Sequence, residues 1–169
     1  MAFRRNEADQ LGLYDSYAAL TPREKKFLAR SWAAAFAARV FPRIDEERYA
    51  PLYADGRTGR PNNPVNVMVG LLLLKELTGF SDEELFESLL FDERFRYALH
   101  TTSMREQPVS KSGLGKFRRL LRGYEKRTGR DLLAEEREAL GAELAELTGL
   151  PKGRSARPEP HRAKNRGLL

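Results

Sequence analysis

Residues 63–79 read NPVNVMVGLLLLKELTG, and this stretch decides the fold. Apolar side chains fall on nearly every face of a helix formed here. Asn63-Pro64 is typical of a helix start, because proline is preorganised for the first helical position. Gly79 can adopt the left-handed conformation that ends a helix. Such a helix belongs in the centre of a fold, and we expect the other helices to pack around it.

Helix start signals occur on both sides of this central stretch. Thr21-Pro22-Arg23-Glu24 and Ser81-Asp82-Glu83-Glu84 both have the spacing of a capping box. The first predicts a helix that continues until Phe41-Pro42, because the residue before a proline disfavours the helical conformation. The same kinds of signal predict further helices over 46–53, 92–99, 111–128 and 131–148. No strand-like alternation occurs, so we expect an all-α fold, a compact bundle of five to seven helices.

The chain has 169 residues, a net charge of +6 and no cysteine. This length predicts one helical domain at 21–150, preceded by an N-terminal arm at 1–20. Residues 151–169 are basic, rich in proline and glycine and poor in apolar anchors, so we expect a disordered tail. The apolar run 65–74 is far shorter than the roughly 20 residues that span a bilayer. We expect a cytoplasmic protein without disulfides, thiolate metal sites or a membrane partner.

Charge is segregated along the chain. Residues 111–130 contain eight lysines and arginines against one acid, whereas residues 82–93 contain six acids and no base. Segregation of this kind creates local fields that a mixed surface would cancel. The basic segment therefore indicates a polyanionic partner, and double-stranded DNA is the one that we expect.

The predicted helix 111–128 is amphipathic. At about 100° per residue, one face is apolar: Leu114, Phe117, Leu121 and Tyr124. The candidate DNA-binding residues lie on or beside the opposite face: Lys111, Ser112, Lys116, Arg118, Arg119, Arg122 and Lys126. Arginine can grip phosphate or guanine with a planar fork, and Gly115 would let DNA approach the backbone. The alternative is that this is only a solvated surface, as for many basic amphipathic helices.

The order of the central helix, a tight turn at 79–81, an acidic second helix and this basic third helix resembles a helix-turn-helix arrangement. The second helix is too acidic to lie against phosphates, so recognition is assigned to the third. About 20 residues separate these two helices, where a simple motif has a turn of three or four. The arrangement is therefore interpreted as a variant with an inserted short helix.

Other candidate sites have ordinary structural explanations. Trp32 and Phe36 are one helical turn apart and are expected in the core rather than stacked on a base. His100 is expected to pack or end a helix. The acids of 82–87 are interpreted as capping and solvated groups rather than metal ligands. We expect no cofactor.

Three stretches resemble a known family: LTPREKKFLARSWAAAFAARVFPRIDEERYAPLY (20–53), GRPNNPVNVMVGLLLLKELTGFSDEELFESLLFDERFRYALHTTS (59–103) and EQPVSKSGLGKFRRLL (106–121). Together they are similar to the InsH-type N-terminal domain of bacterial insertion-sequence DDE transposases, over about residues 20–150. The resemblance implies binding to the terminal inverted repeats of the element and a location on the nucleoid. It also implies a following RNase H-like domain whose three acids hold two Mg²⁺ ions.

The end of the chain departs from that family. Residues 152–169 read KGRSARPEPHRAKNRGLL, and no aspartate follows Asp131. We therefore expect a truncated, non-catalytic chain that binds transposon ends, either alone or as a homodimer. One alternative is a helical oligomerisation module that joins full-length transposase and inhibits it, with the acidic segment 131–148 as its interface. Another is an independent nuclease, which would require Mg²⁺-dependent cleavage.

Overall fold

The computed structural model describes residues 2–6, 15–53 and 62–154, and this part of the chain is helical without a β-strand. Its α-helices are α1 (Pro22–Ala29), α2 (Trp32–Ala35), α3 (Val65–Thr78), α4 (Asp82–Phe91), α5 (Glu93–Ala98), α6 (Lys111–Thr128), α7 (Leu132–Ala139) and α8 (Gly141–Ala145). A π-helical turn (Phe36–Val40) and two 3-10 helices (Phe41–Arg43 and Glu46–Leu52) lie between α2 and α3. The predicted all-α class is confirmed.

Helix α3 lies at the centre, as its sequence predicts. Ten of its fourteen residues are buried, including the whole run 67–74. Gly70 faces Leu99 and Phe41 so closely that a Cβ atom there would overlap the Leu99 side chain. The helix begins at Val65, one residue after the predicted proline, and ends at Gly79 in the left-handed conformation with φ 68°. Close packing on all sides explains why this stretch contains almost no polar residue.

Two segments predicted as single helices are each divided. The segment predicted as one helix from Pro22 breaks at Ser31, whose backbone is extended and whose hydroxyl donates to the Leu28 carbonyl at 2.7 Å. The chain then restarts with Trp32, which is only 3% exposed and packs edge-on against Phe95 at 5.1 Å. The last segment likewise breaks at the buried Leu140, between α7 and α8. Both breaks bury apolar side chains that a straight helix would place elsewhere.

The described parts of the predicted N-terminal arm pack on the helical domain. The Phe3 ring lies 5.9 Å from that of Tyr53. The Ser16 backbone N–H donates to the Thr102 carbonyl at 3.0 Å, and its hydroxyl donates to Glu93 at 2.6 Å. Residues 7–14 of the predicted arm lie outside the described residues.

The first four residues of the predicted basic tail are also held. The Gly153 backbone N–H donates to the Thr78 carbonyl at 2.9 Å, and that of Arg154 donates to the Glu84 carboxylate at 2.8 Å. These bonds use a free carbonyl at the end of α3 and an acid at the start of α4, so this part of the predicted tail contacts the helical domain. The remainder, 155–169, lies outside the described residues.

Among the helices of the described part, none combines the length and apolarity that crossing a membrane requires.

Candidate nucleic-acid interface

Helix α6 has well-formed ends and a buried inner face. The Ser110 hydroxyl caps its start by accepting from the Gly113 N–H at 3.1 Å, and Gly129 ends it with φ 73°. Leu114, Phe117 and Tyr124 are buried, and the Phe117 ring lies 5.9 Å from that of Tyr49 in the Glu46–Leu52 helix. The predicted apolar face is therefore packed on the core. The opposite face of α6 must point outward.

The outward side of α6 carries four cations, Lys116, Arg119, Arg122 and Lys126, which we call the basic face. All four are exposed. Within the part of the chain that the structure describes, none of them forms a hydrogen bond or an ion pair. They extend over eleven residues, a rise of about 15 Å along the helix axis. Ser112 is exposed at the start of the helix, where its hydroxyl lies 3.1 Å from that of Ser110. The sequence had predicted all five on this side.

Arg118 differs from the expectation that it contacts DNA. Its guanidinium donates two hydrogen bonds to the Asp82 carboxylate at 2.7 and 2.8 Å, and only 24% of its side chain is exposed. Lys75 donates to the same carboxylate at 2.7 Å. Hydrogen bonds from Arg118 and Lys75 hold the pKa of the Asp82 carboxyl well below its ordinary value. Arg118 therefore fastens α6 to the start of α4 and to α3, instead of facing solvent.

An acidic border runs beside the basic face on the side of α4. Glu83 is 85% exposed and lies 3.5 Å from Lys111, which partly neutralises that predicted site residue. Glu87 is also exposed and lies 3.9 Å from Arg154. Exposed carboxylates such as Glu83 make the surface of α4 unfavourable for contact with phosphates.

The acidic segment 131–148, the alternative interface, is largely engaged within the chain. Glu136 is 1% exposed, lies 3.1 Å from Arg48 and accepts from the Asp45 backbone N–H at 3.1 Å. Burial raises the pKa of the Glu136 carboxyl. Three further acids of this segment form ion pairs with arginines: Glu135 with Arg130, Glu143 with Arg43, and Glu146 with Arg39. These contacts attach α7 and α8 to the domain, while Asp131, Glu138 and Glu146 remain exposed.

A groove of about 450 Å³ lies next to the basic face, between α3, α6 and the start of α7. Its walls are mainly apolar, with Leu72, Phe80 and Leu121 among them, and Arg122 lies at its edge. The groove carries both signs of charge, since Lys75 and Glu125 also line it. It does not by itself indicate a ligand.

The remaining candidate residues have structural roles. His100 has φ 55° just after α5, its Nε2 lies 3.0 Å from the Ala37 carbonyl oxygen, and its ring packs on Phe41 at 4.7 Å. The acids at the start of α4 form the predicted capping box, in which the Ser81 hydroxyl accepts from the Glu84 N–H at 3.2 Å. Among the residues that the structure describes, no cluster of three or more acids or histidines could hold a metal ion.

A comparison with protein families finds a match to the model described as "Transposase domain (DUF772)" over residues 24–120. The matched range begins in α1 and ends within α6, so it contains the central helix, the acidic α4 and part of the basic face. Neither the curated proteins nor the solved structures contain a match to this chain.

Proposed function

Since the chain belongs to the transposase domain family whose model matches residues 24–120, we propose that it is the DNA-binding module of an insertion-sequence transposase. In this proposal, α6 recognises the terminal inverted repeats of the element. The observation that carries this proposal is the basic face. Four exposed cations in a row, without acidic partners among the described residues, form a surface that attracts a polyanion.

All four cations neutralise DNA phosphates in this proposal, and the two arginines have a second role. Lys116 and Lys126 bind phosphates, which position the helix on the duplex. Arg119 and Arg122 lie near the middle of the face, and their guanidinium forks can read the edge of guanine in the major groove. Gly115 precedes Arg119 by one turn and has no side chain, so a phosphate or base edge can approach the helix there. Four phosphate contacts would give log K a slope of about −3.6 against log salt concentration.

The arrangement of α3, α4 and α6 supports recognition by α6 rather than α4. The start of α4 carries Asp82, Glu83 and Glu84, and its charges oppose binding to phosphates. The Arg118–Asp82 pair holds α6 against α4 at a fixed position, as an element that reads DNA requires. We describe this as a variant helix-turn-helix, in which α5 and the loop 99–110 are inserted before the third helix.

In this proposal the chain binds DNA and does not cleave it. Strand cleavage in DDE transposases depends on acids that hold two metal ions, and the proposed interface is made of cations. Cleavage of a supercoiled plasmid by the purified chain in the presence of Mg²⁺ would contradict this part of the proposal.

The oligomerisation alternative receives less support. Its interface was placed on the acidic segment 131–148, but most acids of that segment pair with arginines of the same chain. An interface there would have to break these pairs.

The test compares two double variants that remove the same charge. In Arg119→Ala with Arg122→Ala, we expect binding to an inverted-repeat duplex to be lost while the helical circular dichroism is retained. In the control, Lys26→Ala with Arg30→Ala, two exposed cations near the end of α1 are removed, and binding should change little. Unchanged binding in the first variant, or an equal loss in both, overturns the assignment of α6.

A further inference from the structure

Residues 2–6, which we call the N-terminal segment, are bound to the start of α3. Asn62 holds the backbone of Arg4 on both sides: its Oδ1 accepts from the Arg4 N–H at 2.7 Å, and its Nδ2 donates to the Arg4 carbonyl at 3.3 Å. Such a two-point clamp fixes the backbone of Arg4 without using its side chain. The position of Arg4 is therefore set by the fold.

The residues next to Arg4 strengthen this placement. The Phe3 ring packs against Tyr53. The Asn6 side chain donates to Asn66 Oδ1 at 3.0 Å, in the first turn of α3. Arg5 forms an ion pair with Glu47, and Glu46 accepts from the Asn6 backbone N–H at 3.3 Å. Glu46 and Glu47 are thus engaged with residues other than Arg4.

The N-terminal segment is linked to the first turn of α6 through Asn62 and Asn63. Asn63 packs so closely on Gly113 that a Cβ atom at that glycine would overlap the Asn63 amide. Asn62, which clamps Arg4, also donates to the Asn63 carbonyl at 2.9 Å. Arg4 is therefore connected to α6 through two adjacent asparagines.

The segment is linked to α6 on the Lys116 side of the basic face. At about 100° per residue, Gly113 is about 60° around α6 from Lys116, about 140° from Arg118 and about 180° from Arg122. The Arg4 side chain is exposed, and within the described ranges its guanidinium has no hydrogen-bond or ion-pair partner. Arg4 is thus an available cation on a segment joined to the edge of α6 that carries Lys116.

We propose that the N-terminal segment is a second DNA-contacting element, and that Arg4 binds a phosphate of the duplex that the basic face engages. This inference rests on the proposed function of α6. It extends the interface beyond α6, from the basic face past Lys116 to the N-terminal segment. Arg5, which is already paired with Glu47, does not take part.

The experiment measures binding to a short fluorescein-labelled duplex of random sequence, because a phosphate contact does not depend on sequence. Each phosphate contact contributes about 0.9 to the slope of log K against log salt. Arg4→Ala should therefore make that negative slope shallower by about 0.9. Between roughly 50 and 200 mM salt, the fold loss of affinity of the variant should be about one third of that of the parent. Arg5→Ala removes the same charge and should leave the slope unchanged.

Asn62→Ala tests the clamp. We expect it to weaken binding when Arg4 is present and to have no effect in the Arg4→Ala background, because only a tethered Arg4 depends on Asn62. Circular dichroism and thermal melting check that each variant is folded. An equal effect of Asn62→Ala in both backgrounds contradicts the clamp.

Two results separate this inference from the proposed function. If Arg4→Ala and Arg5→Ala behave alike while Arg119→Ala with Arg122→Ala abolishes binding, the N-terminal segment is not a contact but α6 is. If the α6 variant binds this duplex as the parent does, the proposed function fails, and the inference that depends on it fails with it.

Discussion

Replacing Asp82 by asparagine tests the contact that holds α6 in place. The substitution keeps the shape of the side chain but removes the charge that accepts two hydrogen bonds from Arg118 and one from Lys75. A hydrogen bond to a charged group contributes about 1.5–3 kcal/mol. All three side chains are partly exposed, so solvent reduces this value. We expect Asp82→Asn to lower the free energy of unfolding by about 1–2 kcal/mol.

The assay is urea unfolding followed by circular dichroism, with Glu83→Gln as the matched control. Glu83 is the next residue, carries the same charge and is mostly exposed, with one contact at 3.5 Å to Lys111. Its substitution should change the free energy of unfolding by less than about 0.5 kcal/mol. In thermal melting, Asp82→Asn should lower Tm by about 3–8 °C, as expected for a chain of this size. Equal stability of the two variants would show that the Asp82 pairs do not stabilise the fold.

The stabilisation by Asp82 should depend on pH in a defined direction. The pKa of this carboxyl is lowered in the folded protein, so the folded state binds its proton less readily than the unfolded state does. Its contribution is complete above the pKa of an unfolded aspartate, about 3.9, and is lost as the pH falls towards the folded value. The stability difference between the parent and Asp82→Asn should therefore be constant near neutral pH and decrease below about pH 4. A difference that grows on acidification would refute this reasoning.

Two further substitutions test the packing that positions the interface. Gly70→Ala places a methyl group against Leu99 and Phe41, so it should lower the free energy of unfolding in urea by about 1–3 kcal/mol. The control is Gly123→Ala, at a position on α6 with open space, which should not destabilise the fold. Glu136→Ala leaves Arg48 without its buried partner, although Glu135 remains 3.4 Å away, and should cost about 3 kcal/mol. The control Glu138→Ala removes an exposed acid of the same helix and should have little effect on stability. An equal loss of unfolding free energy in the two variants would show that the pair of Glu136 with Arg48 does not stabilise the fold.

The parts of the fold that the sequence predicts are those set by neighbours within a few residues. Capping boxes at Thr21 and Ser81 depend on a side chain three positions away, and both are present. The burial of α3 follows from apolarity on every side, and the inner face of α6 follows from its helical period. The outward position of Arg119 and Arg122 follows from the same period.

The features that the sequence did not predict depend on tertiary contacts. Arg118 lies on the flank of α6, and only the packing of α4 brings Asp82, 36 residues earlier, within reach of its guanidinium. The break at Ser31 carries no proline or glycine, and it is explained by the burial of Trp32. The clamp between Arg4 and Asn62 joins residues 58 positions apart, and no local pattern indicates it.

The most direct measurement of the central claim is the salt dependence of inverted-repeat binding. The parent should bind a duplex of the terminal inverted repeat more tightly than a random duplex. Its slope of log K against log salt should be about −3.6 from the basic face, or about −4.5 if Arg4 also contacts DNA. Arg119→Ala with Arg122→Ala should abolish the specific binding to the repeat, and any residual non-specific binding should have a slope shallower by about 1.8. Equal affinity of the parent for both duplexes, or an unchanged slope in the variant, would contradict the account.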